Sequence, residues 1–387
     1  MVRAEPFSIH ATNKQLADLE RRLAATRWPD RETVDDGSQG IPLDYMREIA
    51  AYWLERYDWR ASEARINALP QFLMPVGEFK IHFIHQRSPH VNATPLVLTH
   101  GWPGSVVEFL KVVEPLTNPE AHGGKAQDAF HVVCPSLPGY GYSDKPARLG
   151  CGVEKIALLW DELMAQLGYS SYIAQGGDWG AAVTTAIGGQ NLGHCRAIHI
   201  NLPFVKPTPE SLQNPTDAVR NALARTQHHQ RWDSGYAKQQ STRPQTLGYG
   251  LTDSPIAQAA WILEKFWAWT DCDGHPENVL TRDELLDNVM IYWLTATATS
   301  SARLYWESRN SAWANQYKVS LPTGCSMFPK EIMQPPREWV EARFDNVVYW
   351  NEVPQGGHFA AFEQPRLFVE ELRRFRTAVD AASAPSN

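Results

Sequence analysis

Gly176-Gly177-Asp178-Trp179-Gly180 puts a carboxylate at the centre of a glycine-flanked turn, between a strand-like run at 171–174 and a helix-like stretch at 179–190. A side chain held on so sharp a turn needs small neighbours, because the backbone enters a strained conformation and packs closely. That is a setting for a nucleophile. Read alone, the segment serves equally as an ordinary glycine-rich turn with a capping Asp. A second signal, His100-Gly101-Trp102-Pro103-Gly104-Ser105, directly follows the apolar run Pro95 to Leu98. A loop there would aim the Trp102 backbone N–H at an oxyanion hole, and the N–H of Trp179 would be the second donor. His100 itself reads as a structural brace, since that task needs backbone geometry and no imidazole. The third signal is Gly356-Gly357-His358-Phe359, after the last strand-like run. Asp178 followed by His358 obeys the chain order nucleophile, acid, histidine. The acid should lie between them, and Glu331 in Phe328-Pro329-Lys330-Glu331 is the favoured candidate, with Asp345 and Glu352 as competitors that read equally as surface charge.

An aspartate nucleophile narrows the reaction. Carboxylate attack on a saturated carbon gives an ester that water can cleave at the enzyme's own carbonyl, whereas a serine alkylated in that way would leave an inert ether. The electrophiles are then epoxides or alkyl halides, with His358 as base for the hydrolytic water and Glu331 orienting it. A halide leaves as a stable anion. An opening epoxide becomes an alkoxide that needs a proton, which a tyrosine can give. Tyr236 and Tyr305 are the candidates for that task, against the alternative that both pack in the core.

These residues need a scaffold. Residues 12–28 read as an amphipathic helix with a Thr12/Gln15 capping box, and a second helix runs from Pro42 through Met46, Ile49 and Trp53. Phe79 to Ile84 alternates like a strand. Strand and helix patterns then alternate through 95–98, 130–134, 153–167, 171–174, 179–190 and 197–200. Such alternation predicts an α/β core with a mostly parallel sheet. It breaks at 202, and the stretch 203–307 is helical, with Trp, Tyr and His interspersed. Residues 347–350 return to strand and 365–379 to helix. The expected organisation is an N-terminal arm (1–94), an α/β core (95–202 and 312–387) and a helical insertion (203–311).

Composition excludes other classes. Lys+Arg 36 against Asp+Glu 43 gives net charge −7, too little clustered positive charge for a nucleic-acid or anionic-membrane partner. No apolar run is long enough to span a bilayer, and Met1 to Ser8 lacks the apolar core of a secretion signal. The expectation is a soluble, cytoplasmic protein. Five scattered cysteines form neither a disulfide framework nor a paired metal motif, so no metal is expected. The 15 Trp outnumber both the 14 Phe and the 13 Tyr, which predicts that Trp102, Trp179, Trp261, Trp267, Trp269, Trp293, Trp306 and Trp313 supply much of the wall of an apolar substrate cavity.

The combination of His100 to Ser105, Gly176 to Gly180, Tyr236 to Pro244, Phe328 to Glu331 and Gly356 to Phe359 resembles the microsomal-type epoxide hydrolases and their soluble fungal and bacterial relatives. The likeness spans almost the whole chain. Ile81-His82-Phe83-Ile84-His85 and the two early helices are similar to that branch's N-terminal meander, while Ser241 to Thr246 and Asp253-Ser254-Pro255 are similar to its cap. The resemblance implies an α/β-hydrolase fold with a helical cap insertion and an N-terminal meander arm. It further implies Asp178 as nucleophile, His358 as base, Glu331 as relay acid, Tyr236 and Tyr305 as the pair that holds and protonates the epoxide oxygen, and detoxification of epoxides as the task. Substrate contacts are expected from Trp102, Trp179 and Phe359. A small hydrophobic epoxide and water are the implied partners, with no cofactor, no membrane anchor and a homodimer within reach of such arms. The runner-up readings are a haloalkane dehalogenase on the same fold and a non-catalytic ligand-binding homologue.

Overall fold

The computed structural model describes residues 3–309 and 317–383. Nine strands form one sheet in the order β1-β2-β3-β5-β4-β6-β7-β8-β9. These are β1 Glu5–Phe7, β2 Gln71–Val76, β3 Phe79–Gln86, β4 Thr94–Thr99, β5 Phe130–Pro135, β6 Tyr172–Gly176, β7 Cys195–Ile200, β8 Thr323–Met327 and β9 Val347–Glu352. From β5 to β9 every neighbouring pair is parallel; β5, β4, β6, β7 and β8 are buried along most of their length, as suits strands covered on both faces, while β9 at the edge is half-buried. Leu96 and Leu98 pack with the helices Leu110–Thr117 and Pro365–Ala382, while Val97 between them packs with Val153–Gln166 and Asp178–Gln190 on the other face.

The N-terminal arm is no separate layer. Its strands β1, β2 and β3 run antiparallel and join the sheet through β3 against β5. Of these only β3 is legible in the sequence: β1 is three residues long, and Pro75 interrupts the strand pattern of β2. The first helix, Asn13–Ala24, carries the expected Thr12/Gln15 capping box but ends earlier than the sequence suggests. The second, Leu43–Glu55, uses Pro42 as its cap. A third, Trp59–Asn67, capped by Asp58, has no counterpart in the sequence reading.

Among the described residues seven α-helices lie between β7 and β8, from Pro209–Gln213 to Ala298–Ser308. The helix Asp217–His228 runs on through a π turn, His229–Asp233, towards Gly235–Thr242, which places Tyr236 in the first turn of the latter. The insertion is fastened to the loop after β4: Asn288 Nδ2 donates to Pro103 O (2.8 Å), Ser105 Oγ donates to Asn288 Oδ1 (2.8 Å), and the Tyr292 hydroxyl donates to Gly104 O (2.7 Å). The arm braces the same helix from outside, where the Tyr52 and Tyr57 hydroxyls donate to Asp283 and Asp287, each at 2.7 Å.

Candidate active site

Asp178 sits where β6 meets the helix Asp178–Gln190, with φ of +48°. That left-handed conformation is uncommon for a residue with a side chain and marks a strained turn. Its neighbours show why they are glycines. A Cβ on Gly176 would lie 2.1 Å from the Gly180 backbone, and one on Gly180 would lie 1.9 Å from Thr99 O. Asp178 Oδ1 accepts the Trp102 N–H at 2.8 Å. Trp179 follows in the first turn of the helix, where backbone N–H groups have no intrahelical acceptor.

The loop after β9 brings His358 Nε2 to 3.3 Å from Asp178 Oδ2 and Nδ1 to 2.6 Å from Glu331 Oε1. Glu331 follows β8, and the Lys330–Gly357 bridge ties the two loops together. Its carboxylate is fully buried and also accepts the Ile332 N–H (2.7 Å). The competitors lie elsewhere: Asp345 pairs with Lys318, and Glu352 is exposed at the end of β9. Burial alone would depress the His358 pKa, but the Glu331 charge, together with the hydrogen bonds and charge of both carboxylates, lifts it well above the ordinary histidine value. His100 is the opposite case. Burial holds its pKa down at about 4, so it is neutral; its ring bridges Gly101 O (3.0 Å) and the Leu137 N–H (3.2 Å), which makes it the brace expected of it.

Tyr236 and Tyr305 come together beside Asp178, with ring centroids 5.8 Å apart. Tyr236 stacks on Trp102 (5.0 Å, 10°), and Tyr305 meets Trp179 edge-on (4.8 Å, 85°). The Tyr305 hydroxyl has no well-formed hydrogen bond; Trp179 and Tyr236 are its polar neighbours. Burial, with the charge of nearby Asp178 adding to it, raises both phenol pKa values well above 10 and keeps them protonated. Asp178, Trp179 and both tyrosines border a cavity of about 950 Å³, lined further by apolar groups such as Phe204 and Met333 and by polar ones such as His229 and Gln230.

The indole expectation fails. Of the described tryptophans only Trp179 and Trp339 line this cavity. Trp102 and Trp269 stand one layer back against Tyr236. Trp261 donates to Gln240, Trp267 packs on Tyr45 and His275, Trp293 meets Arg22, and Trp306 borders a different groove. Large amphipathic rings here staple helices together, and composition cannot distinguish that use from lining a pocket. Trp313 lies outside the described residues. Phe359 stacks on Phe266 (4.1 Å) on the His358 side and does not border the large cavity.

A family model described as "Epoxide hydrolase N terminus" matches residues 4–109, and one for the alpha/beta hydrolase fold matches residues 94–242. A putative epoxide hydrolase from Stigmatella aurantiaca is 52% identical over 368 residues, covering 95% of this chain and 83% of that protein. The chain belongs to the epoxide hydrolases. Epoxide hydrolase 1 of Sus scrofa is 34% identical, covering 96% of this chain and 88% of its own. The crystal structure of juvenile hormone epoxide hydrolase from Bombyx mori superposes with TM-score 0.92 at 30% identity, covering 99% and 96% of the two chains. That of Aspergillus niger epoxide hydrolase gives 0.87 at 33%, covering 97% of each.

This epoxide hydrolase has the α/β-hydrolase fold and belongs with enzymes that act on ether bonds. Among the described residues no group of side chains could hold a metal ion, no helix is long and apolar enough to cross a membrane, and all five cysteines are buried and unpaired. Sequence reasoning missed two residues beside the site, Lys265 and Glu108, and gave a third, Trp269, a place in the cavity wall that it does not take. Trp269 accepts the His358 N–H (2.8 Å) through its carbonyl and sets its ring 5.0 Å from the imidazole. Lys265, buried and paired with Glu264, places its ammonium 4.5 Å from the centre of the Tyr236 ring. Glu108 is buried beside the Trp102 loop. Its one available signal was an acidic residue within the apolar run Val106-Val107-Glu108-Phe109-Leu110.

Proposed function

We propose that this enzyme opens small hydrophobic epoxides through a covalent ester on Asp178. The observation that carries the reading is the division of the carboxylate: Oδ1 is held by the Trp102 N–H, Oδ2 faces His358, and the group opens on a cavity where two protonated tyrosines converge. Oδ2 attacks an epoxide carbon. As that C–O bond breaks, Tyr236 and Tyr305 hold the departing oxygen, and one of them gives it a proton. Esterification removes the negative charge of Asp178, one of the influences that lift the His358 pKa. The imidazole therefore becomes a free base more readily once the ester exists, which is the step that needs one. It takes a proton from water as the oxygen attacks the ester carbonyl, Glu331 stabilises the imidazolium, and the Trp102 and Trp179 N–H groups receive the oxyanion. Collapse releases the vicinal diol as His358 returns its proton to the departing oxygen, and the hydrogen left on the new Asp178 carboxyl goes back to the tyrosinate, which restores the carboxylate and the phenol.

In this reading residues 203–311 act as a cap that delivers the tyrosines to a core formed by 95–202 and 312–387, with 1–94 as its brace. The two phenols favour an epoxide over a halide, which needs no proton. A single turnover in heavy-oxygen water tests the ester: the first diol should take its new oxygen from Asp178 and carry no label, and label in that diol refutes the mechanism.

A further inference from the structure

Asp178 borders two compartments. The large cavity on the side of Trp179, Tyr236 and Tyr305 does not reach His358. On the other side lies a small cavity of about 20 Å³, bordered by Asp178, His358, Glu108, Gln175, Asn201 and Thr99. A single water needs roughly 10–15 Å³ and two to four polar partners. The walls provide them: Gln175 Oε1 is buried with no hydrogen-bond partner, and the Glu108 carboxyl is buried with no Lys or Arg to pair with it among the described residues. The loop is shaped around that carboxyl. A Cβ on Gly104 would fall 1.5 Å from Glu108 Oε1, so only glycine at 104 leaves space for it.

We infer that this chamber is the berth of the hydrolytic water and that Glu108 is a further catalytic residue, accepting the water's second hydrogen while His358 takes the first. Substrate and water then reach Asp178 from separate sides, and an epoxide filling the large cavity does not displace the nucleophile of the second step. The inference rests on the aspartyl-ester reading. In the step itself the water oxygen bonds to the ester carbon, one proton passes to His358 Nε2 and from there to the diol oxygen as the ester C–O bond breaks, and the second hydrogen, hydrogen-bonded to Glu108 during attack, stays on the new Asp178 carboxyl until it returns to the tyrosinate left by ring opening. Glu108 orients the water and keeps its own protonation state throughout. Burial raises the Glu108 pKa to about 8, with the Asp178 charge adding to the rise and His358 opposing it, so the carboxyl meets the water without requiring a counter-cation.

Rapid-mixing kinetics separate the two steps, with intact-mass spectrometry following the ester on the full chain. Glu108→Leu should leave alkylation within about threefold and slow ester hydrolysis roughly 10- to 100-fold, the loss expected for a hydrogen bond to a reacting group, so that alkyl-enzyme accumulates. Glu108→Gln keeps a carbonyl acceptor and should recover part of that loss. Ala361→Val narrows the same chamber with Glu108 in place and should show the same split. Ester that clears from Glu108→Leu and Glu108→Gln at the unmodified rate overturns the role of Glu108, as does a parallel fall of both steps, which marks mere structural damage. Absence of any ester, even in His358→Gln, overturns the aspartyl-ester reading instead.

Discussion

Replacing Glu331 by Gln isolates the charge beneath His358, the base of the proposed hydrolysis. Glu331 is fully buried, and its Oε1 lies 2.6 Å from His358 Nδ1, so solvent screens the pair little. For charge centres about 4 Å apart at an effective dielectric near 20, the attraction is about 4 kcal/mol, equivalent to roughly 3 pKa units at about 1.36 kcal/mol each. This is an upper bound, because an amide oxygen turned towards Nδ1 keeps the hydrogen bond and loses only the charge. Positive charge grows on His358 in hydrolysis and not in alkylation, so the two steps should respond differently. Ester hydrolysis should slow roughly 10²- to 10⁴-fold, in line with loss of the buried acid in analogous triads, while alkylation stays within about threefold. The sign of the pH effect follows. Glu331 raises the His358 pKa, so without its charge the acid limb of the hydrolysis step moves to lower pH even as the plateau falls. Stopped-flow tryptophan fluorescence, with Trp179 bordering the cavity, reads both steps across pH. Hydrolysis within threefold of the unmodified enzyme, or an acid limb moved to higher pH, would refute the reasoning.

Other perturbations follow from the same geometry. His358→Gln should trap the alkyl-enzyme as a stoichiometric adduct on the peptide containing Asp178; unmodified peptide after incubation with epoxide removes His358 from the hydrolytic step. Tyr236→Phe and Tyr305→Phe should each slow alkylation by roughly 100-fold, the scale of one positioned acid, and the double variant should be nearly inert; a double variant that keeps its rate would favour halide chemistry. Gly180→Ala drives a methyl group to 1.9 Å from Thr99 O and should cost about 1–3 kcal/mol of stability along with the activity, and an unchanged urea midpoint contradicts the close approach. Glu108 binds its proton more tightly when folded, with a pKa of about 8 against an ordinary 4.5. Its contribution to stability is therefore full below 4.5 and declines as pH rises towards 8. Glu108→Gln should flatten that decline, and parallel melting curves from pH 5 to 8 would contradict it.

What the sequence disclosed depended on how tightly local chemistry constrains residue type. The elbow was legible because backbone contacts at Gly176 and Gly180 tolerate no side chain, and a constraint that severe leaves a pattern. His358 and Glu331 were legible through loop position after late strands, which chain order preserves even though the residues meet only in three dimensions. Glu108 left almost no mark. Its function depends on a chamber assembled from the ends of β4 and β6, the residue after β7, the loop carrying His358 and the C-terminal helix, and no local pattern reports a space enclosed by segments so far apart in the chain. The indoles failed for a related reason: a ring that staples helices and a ring that lines a cavity satisfy the same hydrophobic periodicity, and only the packed fold tells them apart. The same distinction explains why β2 escaped notice. Pro75 spoils the strand pattern locally, yet β2 lies between β1 and β3, and that tertiary pairing outweighs the local preference against proline. In this molecule, sequence therefore marks the chemical groups whose backbone is strained, while the compartments that keep substrate and water apart follow from the assembly.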